Sequence, residues 1–350
     1  MAEPEQTLNN NARAIVLTHI ADLDGVASGV LLWYYLLYQN SKPPEVFFVD
    51  YDNCAEILEQ EAPTASEVYI ADISLRNPAL IKCLEHLGKE NVYIFDHHAS
   101  SRPTFKLWED RAQIWFDDSH QKCTADLIWE FGEDVFVRYN EALHDLKKFT
   151  HSADLWIRDQ VMGEKLSDVI AVLGARYLFE KLTNQPEQCY YDNFTPDMMR
   201  ASLQAEGRRE QSKLIAKNTA YSMDIDGVKL TVALAAGASS HVGQMFIDEE
   251  PLSWVALIDI QGLRVSFRTN ENTINKSGIS VSDIAGYFGG GGHPVASGAP
   301  LTEVILQNGT KSFAENIAKV IHSTRALRAE LHATKWLSSN EKTKDYPSGS

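Results

Sequence analysis

Four short apolar runs, each ending in an aspartate or a histidine, constrain this chain more than any other feature of its sequence. "AIVLTH" (14–19), "EVFFVD" (45–50), "EVYIADIS" (67–74) and "NVYIFD" (91–96) are rich in the β-branched and aromatic residues that favour strands. Between them lie "IADLDGVASG" with a long apolar segment holding Trp33 and Tyr34, a helical stretch from Cys54 to Glu61, and "PALIKCLEHLG" (78–88). Strands alternating with helices predict a parallel, doubly wound α/β sheet. In such a sheet every carboxyl end lies on one edge, and ligands bind at that edge. It would gather His19, Asp22, Asp24, Asp50, Asp52, Asp72, Asp96, His97 and His98 from four separate segments.

At 350 residues the chain is too long for one ordinary core, so two domains are expected. Its hydrophobic content of 44% and charged content of 23% are those of a soluble globular protein. The net charge of −16 opposes long-range attraction of a polyanion, which argues against duplex nucleic acid and requires any phosphate ligand to be held locally. Aspartates holding divalent cations would neutralise part of that charge, although a solvated acidic surface accounts for most of it. Cys54, Cys83, Cys123 and Cys189 form no CxxC pair, which suggests neither a zinc ribbon nor a disulfide framework. The opening "MAEPEQTLNNN" is unlike a signal peptide, and the longest apolar run, "GVLLWYYLLY" (29–38), is too short to span a bilayer. A cytoplasmic protein without a membrane partner is expected.

From about 123 to 180 the composition turns helical, the periodicity breaks over "NQPEQCYYDNFTPD" (184–197), and 198–220 reads as a polar connecting helix. Strand candidates at 228–236, 252–260 and 263–270, then a helix around 312–330, make a second domain. The expected division is a first α/β domain over 12–190, a helical linker over 191–220, a smaller α/β domain over 221–332 and an unstructured tail over 333–350, with a cleft between the domains. "YFGGGGHPVASGA" (287–299) has neither a P-loop lysine nor a GxGxxG register. Taken alone it reads as a hairpin or helix cap, with glycines that also let backbone N–H groups approach a ligand.

His19, Asp22, Asp24, Asp72 and His97 form a mixed nitrogen and oxygen donor set, which favours Mn²⁺ over Mg²⁺. Two such ions roughly 3.5–4 Å apart can activate a water and stabilise both oxygens of an in-line displacement at phosphorus. Asp72, on the middle strand, is the natural bridge between them. "DLD" by itself reads more readily as a helix N-cap than as a ligand pair, and the set of four strand ends carries the metal reading.

In order and spacing, "HIADLDG", "ADIS" and "DHHAS", spread over about eighty residues, resemble the first three motifs of the DHH phosphoesterases. The shorter HxxDxD form of the first motif resembles the oligoribonuclease-like branch. The resemblance implies one metal held by His19, Asp22 and Asp72 and another held by Asp24, Asp72 and His97. It implies that His98 faces the scissile phosphate while Asp96 orients an imidazole. The family's fourth-motif aspartate, another ligand of the second metal, is assigned to Asp154 in "THSADLWIRD", with Asp145 and Asp159 as neighbouring alternatives. An acid in the apolar setting of Ala153 to Trp156 is costly unless paired or metal-bound. "SFRTN" and the glycine run resemble the DHH-associated C-terminal domain, which implies a substrate clamp of Arg268, Gly290, Gly291, Gly292 and His293. For the nearby Ser297, His241, Arg264 and Lys276, solvated surface is the better reading.

The function so implied is a phosphodiesterase or exonuclease with two Mn²⁺, places that Mg²⁺ or Co²⁺ could also take. It would hydrolyse linear dinucleotides or short oligoribonucleotides to nucleoside monophosphates through a hydroxide activated by the two metals. Asp24 and Asp72 would keep the nucleophile in line, and His98 would stabilise charge on the phosphoryl oxygens. Alternatives in the same class are a 3′-phosphoadenosine 5′-phosphate phosphatase, a cyclic dinucleotide phosphodiesterase, and an exopolyphosphatase or pyrophosphatase, the last pair disfavoured because no basic channel is visible. From another class comes a nucleotide-binding protein without turnover. Homodimers are common in such folds, and the sequence leaves that state open.

Overall fold

The computed structural model describes residues 13–75, 78–138 and 140–341. The chain forms two compact units, one up to Ala205 and one from Glu206 onward.

The first unit is built on β1 (Ala14–His19), α1 (Leu23–Asn40), β2 (Glu45–Val49), α2 (Cys54–Glu61), β3 (Glu67–Ala71), β4 (Val92–Asp96), α3 (Arg102–Trp108) and β5 (Gln113–Phe116). The strands lie in the order β2-β1-β3-β4-β5 and every pairing is parallel, as the alternation of strands and helices predicts. Side chains alternate between the two faces. Val16, Tyr69, Ala71 and Phe95 pack under α1, while Ile15, Leu17, Val68, Ile70, Val92 and Ile94 pack on the other face with Leu58, Phe105 and Trp108. Burying such aliphatic and aromatic side chains contributes roughly 1.5–3 kcal/mol each, so one residue of register slip would forfeit both faces at once.

Two elements depart from expectation. The segment expected to be helical over 78–88 is a 3₁₀ stretch, Pro78–Leu84. The Trp108 indole donates to the Pro78 carbonyl at 3.1 Å, capturing an acceptor that an α-helix would use internally. The edge strand β5, only four residues long, was not among the sequence candidates. Beyond it, α4 (Thr124–Phe131), α5 (Glu133–Phe136), α6 (Glu141–Asp154), α7 (Val161–Leu173) and α8 (Ala175–Asn184) supply the expected helical region. Each of these packs with α1 into one apolar cluster, the short α5 through Phe136. The unit boundary falls inside α9 (Pro196–Thr219), the expected connecting helix.

In the second unit β6 (Tyr221–Ile225), β7 (Val228–Ala235), α10 (Ser239–Glu249), β8 (Ser253–Asp259), β9 (Arg264–Arg268), α11 (Glu271–Ser277), α12 (Val281–Tyr287), β10 (Gly291–His293), β11 (Ala296–Pro300) and α13 (Glu303–Glu341) follow in turn. Its six strands run β10-β11-β9-β8-β7-β6, antiparallel except for β7 with β8. Ile284, Phe313, Ile317 and Ile321 cover one face, and Val242 and Ile247 cover the other. The backbone from 333, expected to be an unstructured tail, continues α13 to Glu341, and the rest of that tail lies outside the described residues.

Candidate metal centre

In the order β2-β1-β3 the chain leaves β1 toward one side and returns to β3 on the other, so the carboxyl ends of β1 and β3 border the topological switch point. β1 ends on His19, and the turn into α1 is so tight that a Cβ on Gly25 would lie 2.1 Å from the His19 carbonyl oxygen. Only glycine fits there. Asp22 caps α1, accepting from Gly25 N at 3.0 Å, and turns its other carboxylate oxygen to His19 Nδ1, also at 3.0 Å. The N-cap reading of "DLD" is therefore realised with one oxygen of Asp22, and the other joins the imidazole.

Asp72 follows β3 in a left-handed conformation (φ 57°) that non-glycine residues adopt at a cost. Its backbone N–H donates to the Phe95 carbonyl at 3.0 Å. At the end of β4, Asp96 is fully buried and its Oδ1 accepts from His97 N at 2.9 Å, His98 N at 3.2 Å and His98 Nδ1 at 2.7 Å. The Ser101 hydroxyl donates to Asp96 Oδ2, and Ser101 is hydrogen-bonded in turn to Ser74 at 3.0 Å. Burial pulls the His98 pKa down, but the hydrogen bond and charge of Asp96 outweigh it and the net shift is upward. Burial and Asp22 act in the same opposed way on His19, whose pKa is also raised.

Two triads of ligand atoms result, one of His19, Asp22 and Asp72, the other of Asp24, His97 and Asp154, each with its atoms within 4.8 Å of one another. His97 Nε2 stands 3.8 Å from Asp24, 3.6 Å from Asp72 and 3.7 Å from Asp154, and His19 Nδ1 stands 3.8 Å from Asp72, so Asp72 lies against both sets. Asp154 is the last residue of α6. Of the two alternatives, Asp145 is engaged by Tyr190 Oη at 2.8 Å and Lys148 at 3.3 Å, and Asp159 is exposed and belongs to neither triad.

The donors around these carboxylates are unevenly spread. Asp24 accepts from Thr124 N at 2.7 Å and Ala125 N at 2.8 Å, the free amides at the positive end of α4. Thr124 Oγ1 donates to Asp72 Oδ1 at 3.1 Å. Asp72 Oδ2 and Asp154 Oδ2 are buried with no hydrogen-bond partner. An unpaired buried carboxylate oxygen is expensive. Burial first, and then the charge of Asp24, push Asp72 and Asp154 well above the usual carboxylate range. Hard oxygens and imidazoles converging around two orphaned acceptors fit divalent cations.

Asp72, His97 and His98 also present convergent ligand atoms, as do Cys123, Asp126 and His151, but the carboxylate of the latter group is already satisfied. Asp126 Oδ2 accepts from Cys123 N at 3.1 Å and from His151 Nδ1 at 2.6 Å, and Lys147 lies 3.3 Å from Oδ1. It clamps α4, which donates to Asp24, to α6, which ends on Asp154. Sequence reading missed Thr124, Ala125, Asp126 and Ser101. Only "CTAD" carried a signal, since a polar residue three positions into a helix is the mark of a capping box.

In the second unit Arg268 ends β9, and the pairing places it opposite Ala296, which in turn faces His293 across β11 and β10. Its Nη2 donates to Ser240 Oγ at 2.6 Å, its Nε is buried without a partner, and it makes no ion pair among the described residues. Burial, then the charge of Arg264, pulls its pKa below the ordinary value. A Cβ on Gly243 would meet Arg268 Cγ at 2.6 Å, so the arginine lies directly on α10. The glycine run is a hairpin: a Cβ on Gly290 would sit 2.0 Å from the Gly298 carbonyl, Gly292 has φ 139°, and Gly291 pairs with Gly298. Lys276 is bound to the Gly227 carbonyl at 2.5 Å and Arg264 is mainly exposed, in keeping with a surface reading of both.

No family model matches the chain. Oligoribonuclease NrnB of Bacillus subtilis (strain 168) is 22% identical over 260 residues, a match that covers 71% of this chain and 62% of NrnB, under two thirds of that relative. Among solved structures, the DHH domain of a member of the s1p family of ribosomal proteins superposes with a TM-score of 0.68 at 12% identity, covering 90% of this chain and 87% of the other. Exonuclease RecJ bound to manganese gives 0.60 at 15% identity, covering 90% and 92%. The fold is therefore similar to that of the DHH domain and of exonuclease RecJ. With its three motifs in order at the switch point, the chain is similar to the DHH proteins in fold and resembles NrnB in sequence. Among the described residues no helix is long and apolar enough to cross a membrane.

Proposed function

We propose that this chain hydrolyses phosphodiester bonds in linear dinucleotides or short oligoribonucleotides and releases nucleoside monophosphates. One observation carries the reading: two ligand triads meet at Asp72, and each includes a buried carboxylate oxygen that nothing in the protein satisfies. His19, Asp22 and Asp72 would hold one divalent cation, and Asp24, His97 and Asp154 the other, with Asp72 between them and Mn²⁺ the first choice for its tolerance of imidazole. Bound there, the two cations supply Lewis-acid stabilisation of the phosphoryl oxygens and an activated water.

The rest falls to the side chains. His98, aimed by Asp96, whose hydrogen bond raises the imidazole pKa against burial, donates to a non-bridging phosphoryl oxygen as negative charge develops on it. Ser101 keeps Asp96 from turning away. Thr124 N and Ala125 N fix Asp24 in place and oppose the burial that raises its pKa. In the second unit, Arg268, with an unpartnered Nε and no competing carboxylate, binds a substrate phosphate, and the backbone of Gly290, Gly291 and Gly292 with His293 lines the same place. NrnB is named an oligoribonuclease, which supports short RNA as the substrate. The net charge of −16 disfavours long polyanions.

The test is mononucleotide release from linear dinucleotides, short oligoribonucleotides, cyclic dinucleotides, 3′-phosphoadenosine 5′-phosphate and polyphosphate, in Mn²⁺ or EDTA, by wild type and His97→Ala. Mn²⁺-dependent cleavage of the linear substrates, lost in the variant, is expected. Preference for another member of the panel would reassign the substrate. Tight nucleotide binding with no product from any member would overturn the hydrolase reading in favour of a binding protein.

A further inference from the structure

Two exposed aromatic residues stand out near the triads, Tyr51 in contact with His19 of the first and Trp156 close in sequence to Asp154 of the second. Tyr51 follows β2 and is 46% exposed, and its ring centroid lies 5.6 Å from the His19 imidazole at a 48° tilt. Trp156 comes two residues after Asp154 and is 36% exposed. Two Cα steps of about 3.8 Å bound the distance between the two backbone positions.

The backbone at Trp156 makes a chance placement hard to credit. Helix α6 ends in a Schellman turn, with Ile157 N donating to the Ser152 carbonyl at 3.0 Å and Trp156 N to the Ala153 carbonyl at 3.3 Å. The position that turn reserves for a left-handed residue, ordinarily glycine, is held by Trp156 at φ 58°. Arg158 is left-handed as well, at φ 61°. Its guanidinium lies 5.0 Å from the indole centroid and 3.3 Å from Glu164. Strain of this kind gathers at functional sites, and the inference runs from the outlier to the function.

We propose that Tyr51 and Trp156 are stacking platforms for the nucleobases on either side of the scissile phosphate, with Arg158 steadying the indole. Every base has a π-face, so such platforms bind bases of any sequence. This rests on the proposed hydrolysis of short oligonucleotides and deepens it, because it makes the base, and not only the phosphate, part of recognition.

The experiment compares wild type, Tyr51→Ala, Trp156→Ala and the two Phe variants on linear dinucleotides and on dimers lacking one base. Affinities for the same compounds are measured by calorimetry in EDTA, where nothing turns over. Each Ala variant is expected to raise KM and Kd for the full dinucleotide roughly 10- to 100-fold. It loses nothing further on the dimer without the base that it contacts, and the Phe variants keep most of the affinity. Unchanged KM and Kd in both Ala variants would overturn the proposal, as would equal losses on full and abasic dimers, the mark of a merely structural role. Should wild type cut nothing yet prefer full over abasic dimers in EDTA, and lose that preference in the Ala variants, the platforms stand while the hydrolase reading falls.

Discussion

Replacing Asp154 by Asn should make the metal-free protein more stable and at the same time blunt its response to metal. Asp24 and Asp154 present carboxylate oxygens within 4.8 Å of one another, Asp24 is fully buried, Asp154 is half-buried, and Asp154 Oδ2 is a buried atom with no donor. Two unit charges at that separation repel by about 3.5 kcal/mol if the effective dielectric constant is near 20. That figure is a ceiling, because Asp154 can escape the repulsion by holding a proton and because any proton on His97, 3.7 Å away, offsets part of it. Asparagine keeps the shape without the charge. For a unit reaching to Ala205 the ceiling corresponds to a rise in Tm of roughly 7–14 °C in EDTA at pH 8.

Metal reverses the ranking, since the wild type can give its carboxylates to a cation and the variant has lost one. The pH dependence has a definite sign. Burial and neighbouring acids raise the folded pKa of Asp72 and Asp154, so the metal-free native state binds more protons than the unfolded chain and loses stability as pH rises above the unfolded carboxylate value. Metal binding requires the deprotonated forms, so the gain in Tm on adding Mn²⁺ should grow from pH 6 to pH 8 in wild type and less so in the variant. Scanning fluorimetry of both proteins in EDTA and in Mn²⁺ at three pH values checks this. A variant that melts below wild type in EDTA, or gains as much from Mn²⁺, would refute the reasoning.

Two further substitutions separate positioning from binding. Asp126→Ala leaves Cys123 N, His151 and Lys147 without their shared carboxylate, which should lower stability by about 3 kcal/mol in denaturant titration and weaken Mn²⁺ binding although Asp126 is in neither triad; unchanged Mn²⁺ affinity would show that the clamp does not reach the site. Arg268→Lys keeps the charge but not the fork of donors, so KM for a dinucleotide should rise roughly tenfold or more in steady-state kinetics, with kcat much less affected.

What could be read beforehand depended on whether a residue's chemistry was carried by its type or by its surroundings. The four strand ends were legible because a parallel sheet sends every carboxyl end to one edge, and His19, Asp72 and His97 are brought together there. Asp154 was legible as a charge in an apolar stretch. Strand β5 was not, because four partly buried residues carry no period. Short β6, β10 and β11 were missed for the same reason, and glycines disguise the last two as a loop. The amides of Thr124 and Ala125 have no residue-type signature at all, since any helix start offers them. The left-handed conformations of Asp72 and Trp156 oppose intrinsic preference, so propensity pointed away from them.

Those exceptions lie where the site would be expensive to hold together without a ligand. Asp24 is held by two helix amides, and Asp96 by two backbone amides, an imidazole and a hydroxyl, so each of their oxygens has a donor inside the protein. Asp72 and Asp154 are not matched in this way. Each keeps an oxygen with no donor, and Asp72 adds a strained backbone to its desolvation. Because the two unmet oxygens belong to different triads, a cation in one would leave the demand in the other largely as it was. Among the described residues, the two satisfied acids fix the frame, and the two unsatisfied ones are the demand that a pair of divalent cations, rather than one, would answer.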